Sequence, residues 1–391
     1  MKSDRPSIFT SRFSKLFCVM LALSIISVPT LLAALPQKSY SPEENRMLAT
    51  FPTFSAEGVL SGEYTAGVSL YLRDHLPMRT TLLKTKAAAE YAALKRENNH
   101  IIIAKDGYLV KRFDYTEQQK NALASNCETI EMLTDVLKTY QKPVVFLRAP
   151  RAIDVLYGLC PAQMPAPTDV PPPTDPISQA VTEVLIQKSR SGEYVWFRTD
   201  HHWTPLGAYY AYSQLGDALS YTPFPKTAFS ETDVCDGFFG TSYSAGLPPL
   251  CQGDRITVFQ YEGDDDFLCT DMMTGTQQAG FYRPEALSNP SRYEYFLGKN
   301  TAHLRIQKTD GASTRPTLLI IKDSYAQCLV PFLARHFNIE MLDLRYFRTD
   351  ATETISQILA SPDYGGALFL FNSDTLTGDA GLSRISAEKL Q

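Results

Sequence analysis

The sequence is poor in the features that mark a metalloprotein or a nucleic-acid binder. Its 37 Lys and Arg against 42 Asp and Glu leave a formal net charge of -5. No basic stripe interleaved with aromatics breaks that balance, so nucleic acid is not an expected partner. The 7 cysteines include no C-x-x-C pair, which argues against a structural zinc site. The acidic run "EGDDDF", residues 262–267, lacks EF-hand spacing and reads as a solvated turn. Histidine is scarce too, with 6 in the whole chain. Neither a metal nor an organic cofactor is expected. Apolar content of 44% and charged content of 20% are ordinary for a globular protein. With 21 Tyr, 21 Phe and 25 Pro, the composition suits a loop-rich α/β protein with aromatic surfaces of the kind that pack on sugars.

Charge is absent from one long stretch near the start. Lys2, Arg5, Arg12 and Lys15 precede "LFCVMLALSIISVPTLLAAL", residues 16–35. That run is long enough to span a bilayer, and the basic flank places the N-terminus in the cytoplasm. A cleaved signal peptide is the alternative; no clean A-x-A site ends the run, which favours a retained anchor. On either reading the remainder is extracytoplasmic, membrane-anchored or secreted. Cys127, Cys160, Cys235, Cys251, Cys269 and Cys328 lie in the exported part, where disulfides are permitted. At most one is expected, among Cys235, Cys251 and Cys269.

The chain divides into a membrane segment (1–35), a helical stalk (36–95) and a catalytic domain (96–391) with an insert of short strands and turns over about 223–315. In the stalk, Ser41-Pro42-Glu43-Glu44 has the composition of a helix start. Residues 62–94 read as one or two amphipathic helices, with His75 at a helix end and Asp74 paired with Arg79. "HIIIAKDGYLVKRFD" predicts a hairpin turning at Asp106-Gly107. Residues 116–140 have helical periodicity, Pro143 to Arg148 is a buried strand, and a helix follows from about Ile177 to Lys188. "EYVWFRTDHHW" is a short strand ending in a loop, and Thr204-Pro205 caps the next helix. The last third alternates strands and helices, which predicts a parallel sheet covered on both faces, with its ligand chemistry at the carboxyl ends of the strands.

Ser324 occupies such an end. "TLLII" runs into Lys322-Asp323-Ser324 and a helix start, so the hydroxyl lies at the sheet edge and the Ser324 N–H points toward any developing oxyanion. Asp323 is available as the cap, which frees Ser324. Asp200 and His202, in "TDHHW", are two residues apart and face one side of an extended backbone. The carboxylate then fixes the imidazole tautomer and leaves the other nitrogen to take a proton from serine. That geometry selects His202 rather than His201 as the base. Adjacent histidines diverge and chelate poorly. The DHH phosphoesterases that use this tripeptide add aspartates on earlier strands, and no D-x-D stands at an upstream strand end here.

These residues carry a resemblance. "TDHHWT", "SPEENRMLATFP", "DHLPMR", "KDGYLV" and "IIKDSY" together resemble the DHHW protein family. That family is similar to the alginate O-acetyltransferase group of extracytoplasmic proteins, which are related to SGNH hydrolases. The resemblance implies a three-layer SGNH hydrolase-like α/β fold in circularly permuted order, because Asp200 and His202 precede Ser324. It maps the family's G-D-S-F/Y serine motif onto Lys322-Asp323-Ser324-Tyr325, with lysine replacing glycine. It also suggests Asn372 as the oxyanion asparagine and Arg148, Tyr325 and His201 as lining residues. The implied activity is transfer of an acetyl group through an acetyl-Ser324 intermediate to a cell-envelope or exported polysaccharide. A membrane-bound acyltransferase is the implied donor partner. A carbohydrate esterase, or a non-catalytic envelope carbohydrate-binding or scaffold protein, are the alternatives.

Overall fold

The structure, a computed structural model, describes residues 14–23, 27, 38–44, 46–168, 170–309 and 315–390. Among these residues no helix is long and apolar enough to cross a membrane. The expected span 16–35 lies mostly outside the described residues. The chain forms two compact units, Met1–Leu94 and Lys95–Gln391.

The first unit carries helices α1 (Ala56–Ser61), α2 (Glu63–Asp74) and α3 (Arg79–Ala92). Ser55 caps α1, its Oγ accepting from the Gly58 N–H, and Gly62, at φ 84°, ends it. Ser41-Pro42-Glu43-Glu44 does not begin a helix. Tyr40–Ser41 instead pairs antiparallel with Arg46–Met47, and the Ser41 Oγ accepts from the Glu44 N–H at 3.3 Å, closing a side-chain turn that competes with helix. The charge pairing also differs from expectation. Asp74 is held by two bonds from the Arg46 guanidinium, at 2.7 and 2.6 Å, while Arg79 pairs with Glu44.

The second unit opens with a short strand, Glu97–Asn98, that pairs with the first strand of a hairpin, β1 (Ile101–Ile103) and β2 (Leu109–Lys111). Its turn uses left-handed Asp106 and Gly107 at φ 56° and 78°, conformations that Asp and Gly tolerate. Helix α4 (Glu117–Lys138) starts from a Thr116/Gln119 capping box. Strand β3 (Val144–Ala149), helix α5 (Pro176–Arg190) and helix α6 (Pro205–Leu215) follow. Then come β4 (Ser230–Phe238), β5 (Asp254–Gln260), β6 (Phe267–Asp271), β7 (Gln277–Ala279) and β8 (His303–Lys308). The chain ends with β9 (Thr317–Lys322), β10 (Asn338–Leu342), α7 (Thr352–Leu359) and β11 (Tyr364–Asn372).

Seven strands form the main sheet in the order β7-β6-β8-β10-β9-β11-β3. The last four are mutually parallel, whereas β8, β6 and β7 join antiparallel. The sheet is therefore mixed, not parallel throughout. Strands β6, β7 and β8 extend the sheet antiparallel, while β4 and β5 pair with each other in a separate two-stranded sheet. In β9, Leu318 and Ile320 pack into one core with α5 and α6 residues such as Val181, Leu185 and Leu215. Leu319 and Ile321 pack into another with Leu133, Leu137 and Ile355 of α4 and α7. This alternation across the pleat gives three layers. The acidic turn is not purely solvated, because Asp264 pairs with the buried Arg335. All 7 cysteines are free thiols, so the disulfide expected among Cys235, Cys251 and Cys269 does not form.

Candidate active site

The site stands beyond the carboxyl end of β9. All six residues of that strand are buried, and the chain leaves it through Asp323, whose N–H donates to the Leu370 carbonyl of β11 at 3.0 Å. The Asp323 carboxylate accepts from the Tyr325 N–H at 3.0 Å. It also accepts from the Asn372 N–H and the Thr375 hydroxyl, each at 2.7 Å. Asp323 thus caps the single 3-10 turn Ser324–Ala326, which replaces the longer helix expected there. Lys322, where the resemblance expects glycine, sends its ammonium away to Asn300 and to Asp343, 3.4 Å distant. Burial holds that ammonium below its ordinary value.

The second segment, 194–204, folds back on itself through a Trp196–Trp203 bridge instead of forming a regular strand. Asp254 of β5 clamps it, accepting from the Arg198 and Thr199 N–H groups at 2.8 Å each and from the Thr199 hydroxyl at 2.5 Å. Burial pushes the Asp254 carboxyl up, and these donors offset part of that rise. Thr204 caps α6 and Pro205 occupies its first turn, as the sequence predicts. A Cβ on Gly207 would lie 2.2 Å from the Val195 carbonyl oxygen, so only glycine lets α6 approach this closely.

The two segments meet at three side chains. His202 Nδ1 lies 2.5 Å from Asp200 Oδ1, and His202 Nε2 lies 2.7 Å from the Ser324 hydroxyl. Asp200 Oδ1 also accepts from the His202 N–H at 3.0 Å. Its other oxygen accepts from the Thr241 N–H at 2.9 Å and the Thr241 hydroxyl at 3.2 Å. Burial alone would push the Asp200 carboxyl up, but the neighbouring His202 and His201 and these donors hold it well below the carboxylate range. It is therefore ionised at neutral pH and can only accept, which makes His202 Nδ1 the protonated nitrogen and leaves Nε2 to face the serine. This line can draw a proton from a hydroxyl while the carboxylate steadies the resulting imidazolium. The acidic and imidazole groups also include the cluster Asp200, His201 and His202. However, 2.5 Å between His202 Nδ1 and Asp200 Oδ1 is hydrogen-bond geometry. Two ligands sharing a tetrahedral ion at about 2.0–2.1 Å each would be roughly 3.3 Å apart.

Residues that periodicity could not flag complete the setting. Tyr293 lies flat on the His202 ring, with centroids 3.8 Å apart and planes 6° apart. Its hydroxyl donates to the Ser324 carbonyl at 3.2 Å. On the opposite face, the His201 ring sits 3.8 Å from His202. Gly240, before Thr241, has no room for a side chain beside Asp200. The remaining predicted residues divide. Tyr325 is present and structural: its hydroxyl donates to the His201 carbonyl and its carbonyl accepts from Trp203 Nε1 at 3.1 Å. Asn372 caps the turn Ser373–Leu376 with its carbonyl oxygen, and its amide donates to the Ala149 and Pro150 carbonyls at 3.3 and 2.8 Å. Arg148 is buried and turns to the Pro171 carbonyl at 2.6 Å, lining a cavity of 170 Å³ with Cys127 and Glu131. Among the described residues no hydrogen bond joins Asn372 or Arg148 to Ser324.

The DHHW protein family model matches residues 180–342, a span that includes Asp200, His202 and Ser324. The chain is 24% identical over 189 residues to a probable alginate O-acetylase, AlgJ, of Pseudomonas syringae pv. tomato, covering 45% of this chain. It spans 47% of that relative, about half its length. A DHHW family protein from Eubacterium siraeum has a similar fold, with TM-score 0.53 and 20% identity, covering 74% of this chain and 96% of the other. Bacillus cereus PatB1, solved with a sulfonyl adduct, has TM-score 0.56 and 20% identity, covering 73% of this chain and 100% of the other.

Proposed function

We propose that this DHHW-family chain is an extracytoplasmic, serine-dependent O-acetyltransferase that acts on a cell-envelope or exported polysaccharide. The observation that carries the reading is the unbroken line from Asp200 through His202 to Ser324. In the first half-reaction, His202 Nε2 takes the Ser324 proton as Oγ attacks an acetyl carbonyl. The carbonyl oxygen gains the negative charge, the donor's leaving group departs with the proton from His202, and acetyl-Ser324 remains. The Ser324 N–H begins the 3-10 turn and has no protein acceptor among the described residues, so it is the oxyanion donor of this reading. In the second half-reaction, His202 takes the proton of an acceptor hydroxyl, whose oxygen attacks the ester and releases Ser324.

The relative named a probable alginate O-acetylase supports the acetyl-transfer class. The basic flank and the charge-free run 16–35 support an extracytoplasmic site, membrane-anchored or secreted; the family resemblance implies a membrane-bound acyltransferase as the acetyl donor partner.

Sulfonyl fluorides modify activated serine hydroxyls, and PatB1 was solved with a sulfonyl adduct. Incubation with phenylmethylsulfonyl fluoride should therefore add one sulfonyl group to Ser324, read by peptide mass spectrometry, and stop turnover of p-nitrophenyl acetate. Ser324→Ala should lose both labelling and turnover. Full acetyl-ester activity in Ser324→Ala would sink the reading.

A further inference from the structure

The mechanism above uses one of the two adjacent histidines. Asp200, however, serves both. Both rings turn Nδ1 toward Asp200 Oδ1, at 2.5 Å for His202 and 3.8 Å for His201. His201 reaches the carboxylate through Thr241, whose hydroxyl lies 3.2 Å from Asp200 Oδ2 and 2.6 Å from His201 Nδ1. An ionised carboxylate only accepts, so the Thr241 hydroxyl donates to it and accepts from His201 Nδ1–H. The tautomer of His201 follows: Nε2 carries a lone pair. That nitrogen has no protein partner among the described residues, and 42% of the His201 side chain is exposed. The two rings, centroids 3.8 Å apart and planes tilted by 39°, therefore present their Nε2 edges away from Asp200, one to Ser324 and one to the open side of the site.

We propose that His201 is the acceptor-binding residue, its Nε2 accepting a hydrogen bond from a hydroxyl adjacent to the one that receives the acyl group. The inference rests on the acetyl-transfer reading and gives its acceptor a class: a carbohydrate with vicinal hydroxyls, bound in preference to water. One hydroxyl gives its proton to His202 Nε2 as its oxygen forms the new ester bond. The Ser324 Oγ–acyl bond breaks, and that proton returns to Ser324. The neighbouring hydroxyl stays intact and donates to His201. Phe239, 38% exposed, and Tyr243 share the turn that carries Thr241, with ring centroids 4.4 Å apart. They offer an apolar face of the kind on which a sugar ring lies. Desolvation of its enclosed edge and the adjacent His202 hold His201 below the ordinary imidazole value, in keeping with a neutral ring.

The test separates acylation from transfer. In the full-length protein, the p-nitrophenol burst from p-nitrophenyl acetate reports acetylation of Ser324. Partition of acetyl between water and cellotetraose, chitotetraose or a mannuronate tetramer reports acceptor capture. In His201→Ala the transfer-to-hydrolysis ratio, which divides out any common change in the burst rate, should fall roughly tenfold through acceptor KM, the scale of one hydrogen bond. His201→Gln, which places a carbonyl near the position of Nε2, should restore most of that ratio. An unchanged ratio in His201→Ala with an intact burst overturns the proposal and leaves the acetyl-transfer reading standing. A lost burst places His201 in acylation and overturns it equally. If the wild type shows neither burst nor Ser324 labelling, the acetyl-transfer reading fails, and this proposal with it.

Discussion

Replacing Gly240 with alanine tests the site through a residue that takes no part in the chemistry. Gly240 has φ -92° and ψ -165°, extended backbone that alanine adopts freely, so the whole effect is steric. Its Cβ would lie 2.3 Å from both Cβ and Oδ2 of Asp200, against an ordinary contact of 3.4 Å or more. Restoring contact distance moves the carboxylate or the turn by about 1 Å, which carries the 2.5 Å bond to His202 Nδ1 to the edge of hydrogen-bond range. Displacement on this scale costs on the order of 10²-fold in rate, and complete loss of the orienting carboxylate about 10⁴-fold. Crowding of this kind also costs roughly 1–3 kcal/mol of stability, a fall of a few degrees in Tm. The assay is kcat/KM for p-nitrophenyl acetate on the folded fraction, beside thermal unfolding by circular dichroism. Gly158→Ala, where a Cβ meets nothing within 4 Å, is the control and should match wild type in both. Gly240→Ala with activity within about threefold of wild type and an unchanged Tm would refute the claim that Asp200 is fixed by contact with this turn.

Tyr293→Phe keeps the ring on His202 but loses the hydroxyl contacts to the Ser324 carbonyl and the Cys328 thiol. It should cost about 1 kcal/mol per lost bond and leave ester turnover within tenfold. Tyr293→Leu removes the stacking face and should lower turnover further at equal fold content, and equal rates in the two variants would refute a positioning role for the ring. His336 bonds the Tyr212 hydroxyl at 2.8 Å and stacks on Tyr221, and burial holds it down at about 4 against 6.5 when unfolded. The unfolded chain therefore binds the extra proton between those values, so stability present above pH 6.5 is lost as pH falls toward 4. The full difference corresponds to at most roughly 3 kcal/mol, lowered by the ring's partial exposure. Chemical denaturation of His336→Gln should show a flatter pH dependence between pH 6.5 and 5, above the range of ordinary carboxyls. A slope equal to wild type would remove His336 from the account.

Much of the site is legible in the sequence because it depends on near neighbours. The five-residue run Thr317–Ile321 leading into Lys322-Asp323-Ser324 puts a hydroxyl at a sheet edge, and an aspartate two residues from a histidine can share its side of the backbone. Thr204-Pro205 and the Asp106-Gly107 turn declare themselves through caps and permitted dihedrals. What the tertiary structure alone decides is who stands across from whom. Tyr293 on one face of His202, Gly240 and Thr241 against Asp200, and Asp254 under Arg198 and Thr199 are all brought in from distant segments. The same limit explains the mixed sheet. Short strands between residues 223 and 315 carry local β patterning, but the antiparallel docking of β8 onto β10, on which β6 and β7 then build, depends on pairing between segments far apart in the chain. Ser41-Pro42-Glu43-Glu44 has the composition of a helix start, yet turns instead because Ser41 closes on Glu44 and Glu44 pairs with Arg79. Sequence determines which groups are available and how each short segment can bend; only the assembled fold decides that Asp200 meets His202 directly and reaches His201 through the Thr241 hydroxyl, because hydrogen bonding acts over about 3 Å whatever the separation along the chain.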